Sequence, residues 1–218
     1  MTAAPQKLRR STLAVDAYVA VRDLLLDGDR YAPGDKISVE ELAGDLGVSR
    51  SPVWSAVARL EAEGIVEVTP RQGVFLIAFE PARLATVFEA REALEGMAAR
   101  LAARRISSDE LAALADSIDR QSTAIQEQNR TAYDQANLQF HHGLLDAAQS
   151  PAIKKTLSAL YAQTRAMCGK RATSFDELQA NRDEHDAILR ALQARDEEEA
   201  ERTARRHVAE LLKKLLQS

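Results

Sequence analysis

Three imidazoles placed on three apolar helical faces are the residues of this sequence best suited to chemistry. Between residues 130 and 148, Tyr133, Asn137, Phe140, His141, Leu144, Leu145 and Ala148 recur at helical spacing. Between 175 and 194, Leu178, His185, Ile188, Leu189 and Leu192 do the same, and between 196 and 216 so do Ala200, Ala204, His207, Val208, Leu211 and Leu215. The remaining histidine, His142, points off to the side. One inward histidine reads as a core residue with a hydrogen-bond partner. Three that converge need a shared partner, because an apolar interior penalises unsatisfied polar groups. A divalent metal ion supplies it, with zinc first and nickel or manganese as alternatives, and Asn137 offers an oxygen ligand one turn before His141.

A cation shares the setting. Arg91 lies among Leu84, Val87, Phe88, Leu94 and Ala98 in the run FEAREALEGMAARLAA. Glu95 at i+4 offers an intrahelical ion pair. A guanidinium buried beside a metal also suits the carboxylate of a small organic-acid effector. Arg130, Tyr133 and Arg165 are further effector candidates, and nothing in the sequence selects among them.

The elements that position these groups are helices. From Glu80 to Ser218 there is no glycine- or proline-rich run, and Ala, Leu, Glu, Arg and Gln dominate. Six helices are predicted, over about 81–105, 108–127, 130–148, 151–168, 175–194 and 196–216. The breaks are ISSDE with Ser108 as N-cap, QNR, AQSPA, CGKRATSF and ARDEE. Connections this short make antiparallel neighbours, hence an all-α bundle.

The first part of the chain has a different texture. Leu13, Val15, Tyr18, Val19, Val21, Leu24 and Leu25 predict an opening helix with these residues on its apolar face, closed by the turn residues of DGDRYAPGDKIS. VEELAGDL is a short helix ended by Gly47. Ser49 then caps a second helix, with Pro52 in its first turn, an apolar face of Val53, Val57 and Leu60, and Gly64 as its stop. IVEV and VFLIAF flank PRQG as a two-stranded hairpin with Gly73 at the tip. The order is that of a winged helix-turn-helix, in which the second helix enters the DNA major groove by its N-terminal end. Ser49, Arg50, Ser51 and Trp54 would then face DNA, with Arg71, Gln72 and Gly73 on the wing. For Trp54 itself, packing on the domain surface is preferred over contact with a sugar or a thymine methyl. The fold expected is mainly α: a winged helix over residues 8–79 and an antiparallel helical bundle over 80–218.

Composition is that of a soluble globular chain, with 218 residues, 45% hydrophobic, 28% charged and a net charge of -4. No apolar run approaches the roughly 18 residues of a membrane span. The start MTAAPQKLRRSTL shows no secretion signal, and the single cysteine, Cys168, excludes an internal disulfide, so the cytoplasm is the expected location. Residues 1–79 carry nine Lys/Arg and eleven Asp/Glu, a net of -2. DNA affinity must therefore come from placement: Lys7, Arg9 and Arg10 on an arm, Arg50 on the second helix and Arg71 on the wing.

These motifs carry a resemblance. PGDKISVEELAGDLGVSRSPVWSAVARLEAEGIVEVTPRQGVFL is similar, without gaps, to the DNA-binding domain of GntR-type bacterial regulators. Trp54 and Glu40 stand where that family more often has arginine, the common reader of guanine edges, so both departures bear on operator sequence. Residues 84–216 resemble the helical FCD effector domain of the FadR-type branch. Its metal-binding members carry D/N-x-x-x-H and two later histidines, matched here by NLQFH, EHDAILRAL and ARRHV. An asparagine replaces the more frequent aspartate at position 137. The family's R-x-x-LE motif falls on Arg91.

The resemblance implies a ligand-responsive transcription regulator, a repressor in the commoner mode. It would bind a two-fold double-stranded DNA operator as a homodimer and sense a small carboxylate through the metal. A metal-dependent enzyme is the alternative from another class. It lacks a general base, since Asp134 and Glu184 are expected off the ligand faces, and it leaves the winged helix without a purpose. A purely structural metal in a DNA-binding protein is the third reading.

Overall fold

Apolar periodicity decides which helices form, and the computed structural model describes them over residues 11–169 and 174–217. The basic arm of Lys7, Arg9 and Arg10 lies outside the described residues. Two compact units are present: one of Met1–Glu80 with Tyr161–Arg171, the other of Pro81–Leu160 with Ala172–Ser218.

The first unit contains α1 (Ser11–Asp27), β1 (Lys36–Ile37), α2 (Val39–Asp45), α3 (Arg50–Ala62), β2 (Val66–Thr69) and β3 (Gly73–Leu76). Its core joins Val21 and Leu25 of α1, Leu42 of α2, and Val53, Val57 and Leu60 of α3, all at most 2% exposed. The turn between α2 and α3 needs Gly47, whose φ of 63° is left-handed. Ser49 is the N-cap of α3, but its side chain makes no capping hydrogen bond. On α1 the buried face is Ala17, Tyr18, Val21, Leu25 and Leu26, whereas Leu13, Val15 and Val19 are exposed, contrary to the sequence expectation.

The wing also differs. The sheet is three-stranded and antiparallel in the order β1-β3-β2, with Lys36 opposite Phe75 and Thr69 opposite Gly73. β1 is too short to show alternation, so sequence alone gave only the hairpin. Gly73 opens β3 rather than sitting at the tip, and Arg71 takes the left-handed turn conformation at φ 64°.

The second unit is helical: α4 (Pro81–Arg105), α5 (Ser108–Gln126), α6 (Arg130–Ala147), α7 (Pro151–Cys168, grouped with the first unit from Tyr161), α8 (Phe175–Gln193) and α9 (Glu197–Leu216). All six fall within a residue of their predicted bounds. α4 packs along α9, and α5 along α6 and α8. Arg100 with Glu201 and Arg205 with Glu92 show that α4 and α9 run antiparallel. Gly96 allows their close approach, since a Cβ there would lie 2.6 Å from Arg205 Cγ.

The cap of α5 is Ser107 rather than Ser108. Ser107 Oγ accepts from Glu110 N at 3.2 Å, and Glu110 Oε2 accepts from Ser107 N at 2.7 Å. Those bonds from Ser107 hold the Glu110 carboxyl below its usual range. We expect Ser107→Ala to lower unfolding stability by about 1 kcal/mol in denaturant titrations at pH 7. A carboxylate with a depressed folded-state pKa stabilises above its unfolded pKa and loses that contribution as pH falls through the folded value. The cost of the substitution should therefore shrink in acid.

Candidate metal centre and DNA-reading surface

Helices α6, α8 and α9 bring His141, His185 and His207 together, as their apolar faces predict. One ring nitrogen from each lies within 4.8 Å of the others, and the ring centroids are 4.7–5.6 Å apart. Phe140 stacks on His185 at 4.4 Å. His185 and His207 are almost completely buried. Burial first, then the neighbouring His207, holds both His141 and His185 well below the usual imidazole pKa. Both rings are thus neutral near pH 7, the protonation state that ligates metal.

Two outer partners fix which nitrogen faces inward. His185 Nδ1 donates to Gln121 Oε1 at 2.9 Å, and His207 Nδ1 to Glu184 Oε2 at 2.6 Å. Their Nε2 atoms are buried and make no hydrogen bond. That arrangement fits a metal, because ligating histidines commonly donate the other ring N–H to an amide, carbonyl or carboxylate. A tetrahedral zinc, with bonds of about 2.0–2.1 Å, would draw the three rings closer together. Glu184 also accepts from Lys214 Nζ at 3.2 Å. Burial raises its pKa, but the bonds and charges of His207 and Lys214 outweigh that and leave it lowered.

Sequence reasoning missed both partners. Glu184 was expected off the ligand faces, yet it reaches His207 from α8. It orients a ring, which is a different task from that of a general base. Gln121 left a signal: it continues the buried α5 series Leu114, Ser117, Ile118 and Ala124 at three- and four-residue spacing.

Asn137 is half-buried one turn before His141, and His142 is exposed. Arg91 is 4% exposed, bonds Glu95 Oε1 through Nε at 2.8 Å, and lies 4.4 Å over the Phe88 ring. Its charge is among those depressing His141, which puts it in the neighbourhood of the triad. The other effector candidates are placed differently. Arg130 pairs with Asp134 at the surface. Tyr133 is buried and donates to the Leu178 carbonyl at 3.3 Å, with burial raising its pKa. Arg165 Nε donates to the Leu26 carbonyl at 2.5 Å within the first unit.

On the first unit, Ser49, Arg50 and Ser51 are exposed at the start of α3, and Arg71 and Gln72 at the wing. Arg50 Nη2 bonds Glu40 Oε1 at 3.1 Å. Trp54, for which packing on the domain surface is preferred from sequence, is 46% exposed.

A winged helix joined to a helical bundle with an inward histidine triad defines a class, the helix-turn-helix regulators with a helical C-terminal domain. Residues 13–76 match the family described as bacterial regulatory proteins, gntR family, and residues 86–210 match the FCD domain; the chain belongs to the GntR family and carries an FCD domain. Among relatives, an uncharacterized helix-turn-helix regulator of Agrobacterium vitis, from the TAR-I ttuE-ttuC' intergenic region, is 33% identical over 61% of this chain and 78% of its own. The Nta operon transcriptional regulator of Aminobacter aminovorans is 29% identical over 86% and 87%. The probable D-xylose utilization operon transcriptional repressor of Paenarthrobacter nicotinovorans is 28% identical over 97% and 92%. The solved structure of E. coli McbR/YncC shares the fold with a TM-score of 0.81, at 22% identity over 94% of this chain and 98% of that one. The chain is therefore a transcription regulator and not an enzyme. No helix among the described residues is long and apolar enough to cross a membrane.

Metal analysis of the purified protein should give about one divalent ion per chain, lost in His141→Ala, His185→Ala and His207→Ala and retained in His142→Ala. Gln121→Leu and Glu184→Gln should weaken metal affinity roughly 10–100-fold in chelator competition, by releasing the ring orientations. Metal-free protein after reconstitution with zinc, nickel and manganese would contradict the site.

Proposed function

We propose that this regulator is a ligand-responsive repressor that binds a two-fold operator as a homodimer and releases it when a small carboxylate enters the bundle. The observation that carries the reading is the buried pair of Nε2 atoms on His185 and His207, each with its Nδ1 already satisfied. A divalent ion held there by His141, His185 and His207, with Asn137 as a fourth ligand, supplies Lewis-acidic positions for an anion. The three rings and the Asn137 amide bring no negative charge to the ion, the Glu184 carboxylate behind His207 is shared with Lys214, and an effector carboxylate offsets the charge that remains. Arg91 adds positive potential from α4. Mono- or dicarboxylates, hydroxy and sugar acids included, suit this field; amines do not.

Repression is the sign supported by relatives, two of which are named as repressors. Effector binding acts as a population shift: an acid that binds only the operator-incompetent dimer supplies about 2.7 kcal/mol at 100 times its dissociation constant. On the DNA side, Ser49, Arg50, Ser51, Trp54 and the wing residues Arg71, Gln72 and Gly73 form the contact surface.

A thermal-shift screen of organic acids tests the sensor. An acid should stabilise the metal-loaded protein, lose its effect after metal removal, and release operator in a gel shift. Removing Arg91 alone would strand buried Glu95. The informative variant is therefore the pair Arg91→Met with Glu95→Leu, which should keep the metal and bind the acid less tightly. Shifts only with cationic or neutral compounds, or an acid shift untouched by metal removal, would contradict the reading.

A further inference from the structure

The exposed side of α3 has an unusual charge distribution for a helix that enters a major groove. From Arg50 to Arg59 its exposed residues are Arg50, Ser51, Trp54, Ser55, Ala58 and Arg59, with Glu61 and Ala62 exposed in the last turn. Both arginines are engaged within the protein. Arg50 bonds Glu40 of α2 at 3.1 Å. Arg59 bonds Glu63 at 3.0 Å and lies 3.6 Å over the Tyr18 ring. Between them runs an uncharged strip of Ser51, Trp54, Ser55 and Ala58, with Trp54 and Ala58 one turn apart. A concavity of about 390 Å³ beside it is lined, among the described residues, by the uncharged Leu13, Ala14, Ser49, Ser51, Pro52 and Ser55.

Guanine is read by a guanidinium fork on O6 and N7, whereas the thymine C5-methyl is the one apolar group on a major-groove edge. An indole on the strip, 46% exposed, has matching apolar surface. We propose that Trp54 reads thymine methyl groups, so that the operator is thymine-bearing where α3 docks. Arg50 anchors the helix to a phosphate. Its pair with Glu40 leaves both side chains well exposed, 67% and 77%, so the bond is weak enough to exchange for the backbone of DNA. Phosphate contacts fix register and base contacts specify sequence, so this divides the two tasks between neighbouring residues of one helix. The inference rests on the reading of the chain as an operator-binding regulator and specifies what its reading helix recognises.

The experiment selects operators from randomised duplexes with the full-length protein, then replaces thymine by deoxyuridine under each α3. Removing one methyl should weaken wild-type binding about fourfold, the scale of one buried carbon. Trp54→Phe should keep part of that discrimination, and Trp54→Ala should bind the two duplexes equally. Arg50→Ala should weaken both duplexes alike and reduce the salt dependence. Trp54 is the only tryptophan in the chain, so its fluorescence reports the contact directly and should change on saturation with operator. Equal wild-type affinity for thymine and uracil duplexes overturns the inference and leaves the regulator reading intact. So does emission that changes with protein concentration alone and not with DNA, which would assign Trp54 to a protein contact. Recovery of no preferred sequence by the wild type would overturn both.

Discussion

Burying imidazole is the constraint on which the helical bundle of this protein depends. A histidine in an apolar bundle must place two ring nitrogens. Gln121 and Glu184 take one nitrogen each from His185 and His207, and that choice leaves the opposite nitrogens turned away from the outer partners. Without a further acceptor of those lone pairs, two buried polar atoms would each carry an uncompensated desolvation cost. A metal ion would resolve this more economically than water, because three rings from three helices would then share one partner. It would also tie α6, α8 and α9 at one point.

The DNA-binding half meets an opposite constraint. Its sequence is net acidic, so phosphate affinity cannot come from a general positive field. The structure responds by pairing its recognition-helix arginines with glutamates, Arg50 with Glu40 and Arg59 with Glu63. The Arg50–Glu40 pair is well exposed and contributes little to stability, so it keeps its cation oriented while leaving it exchangeable. What remains constant along the reading face is the apolar and hydroxyl surface around Trp54.

Much of this was legible in the sequence, and the exceptions have physical causes. Helix bounds and the three histidine faces followed from a 3.6-residue apolar period over long segments, where the signal repeats many times. The shift of the α5 cap from Ser108 to Ser107 is a choice between adjacent serines. Only Ser107 stands three residues before Glu110, the spacing of a capping box. β1 escaped notice because two residues cannot display alternation. Leu13, Val15 and Val19 were misassigned because apolar type was read as burial, although α1 turns Ala17, Val21 and Leu25 to the core. Glu184 and Gln121 depend on which helix lies opposite, and that is tertiary information a helical period does not contain.

The central claim is that three imidazoles coordinate one metal ion inside the bundle. X-ray absorption at the metal edge of the zinc-reconstituted protein tests it most directly. The result expected is a first shell of nitrogen and oxygen scatterers at about 2.0–2.1 Å, with the multiple-scattering pattern of about three imidazoles. A shell containing sulfur, or oxygen alone without an imidazole pattern, would contradict the account.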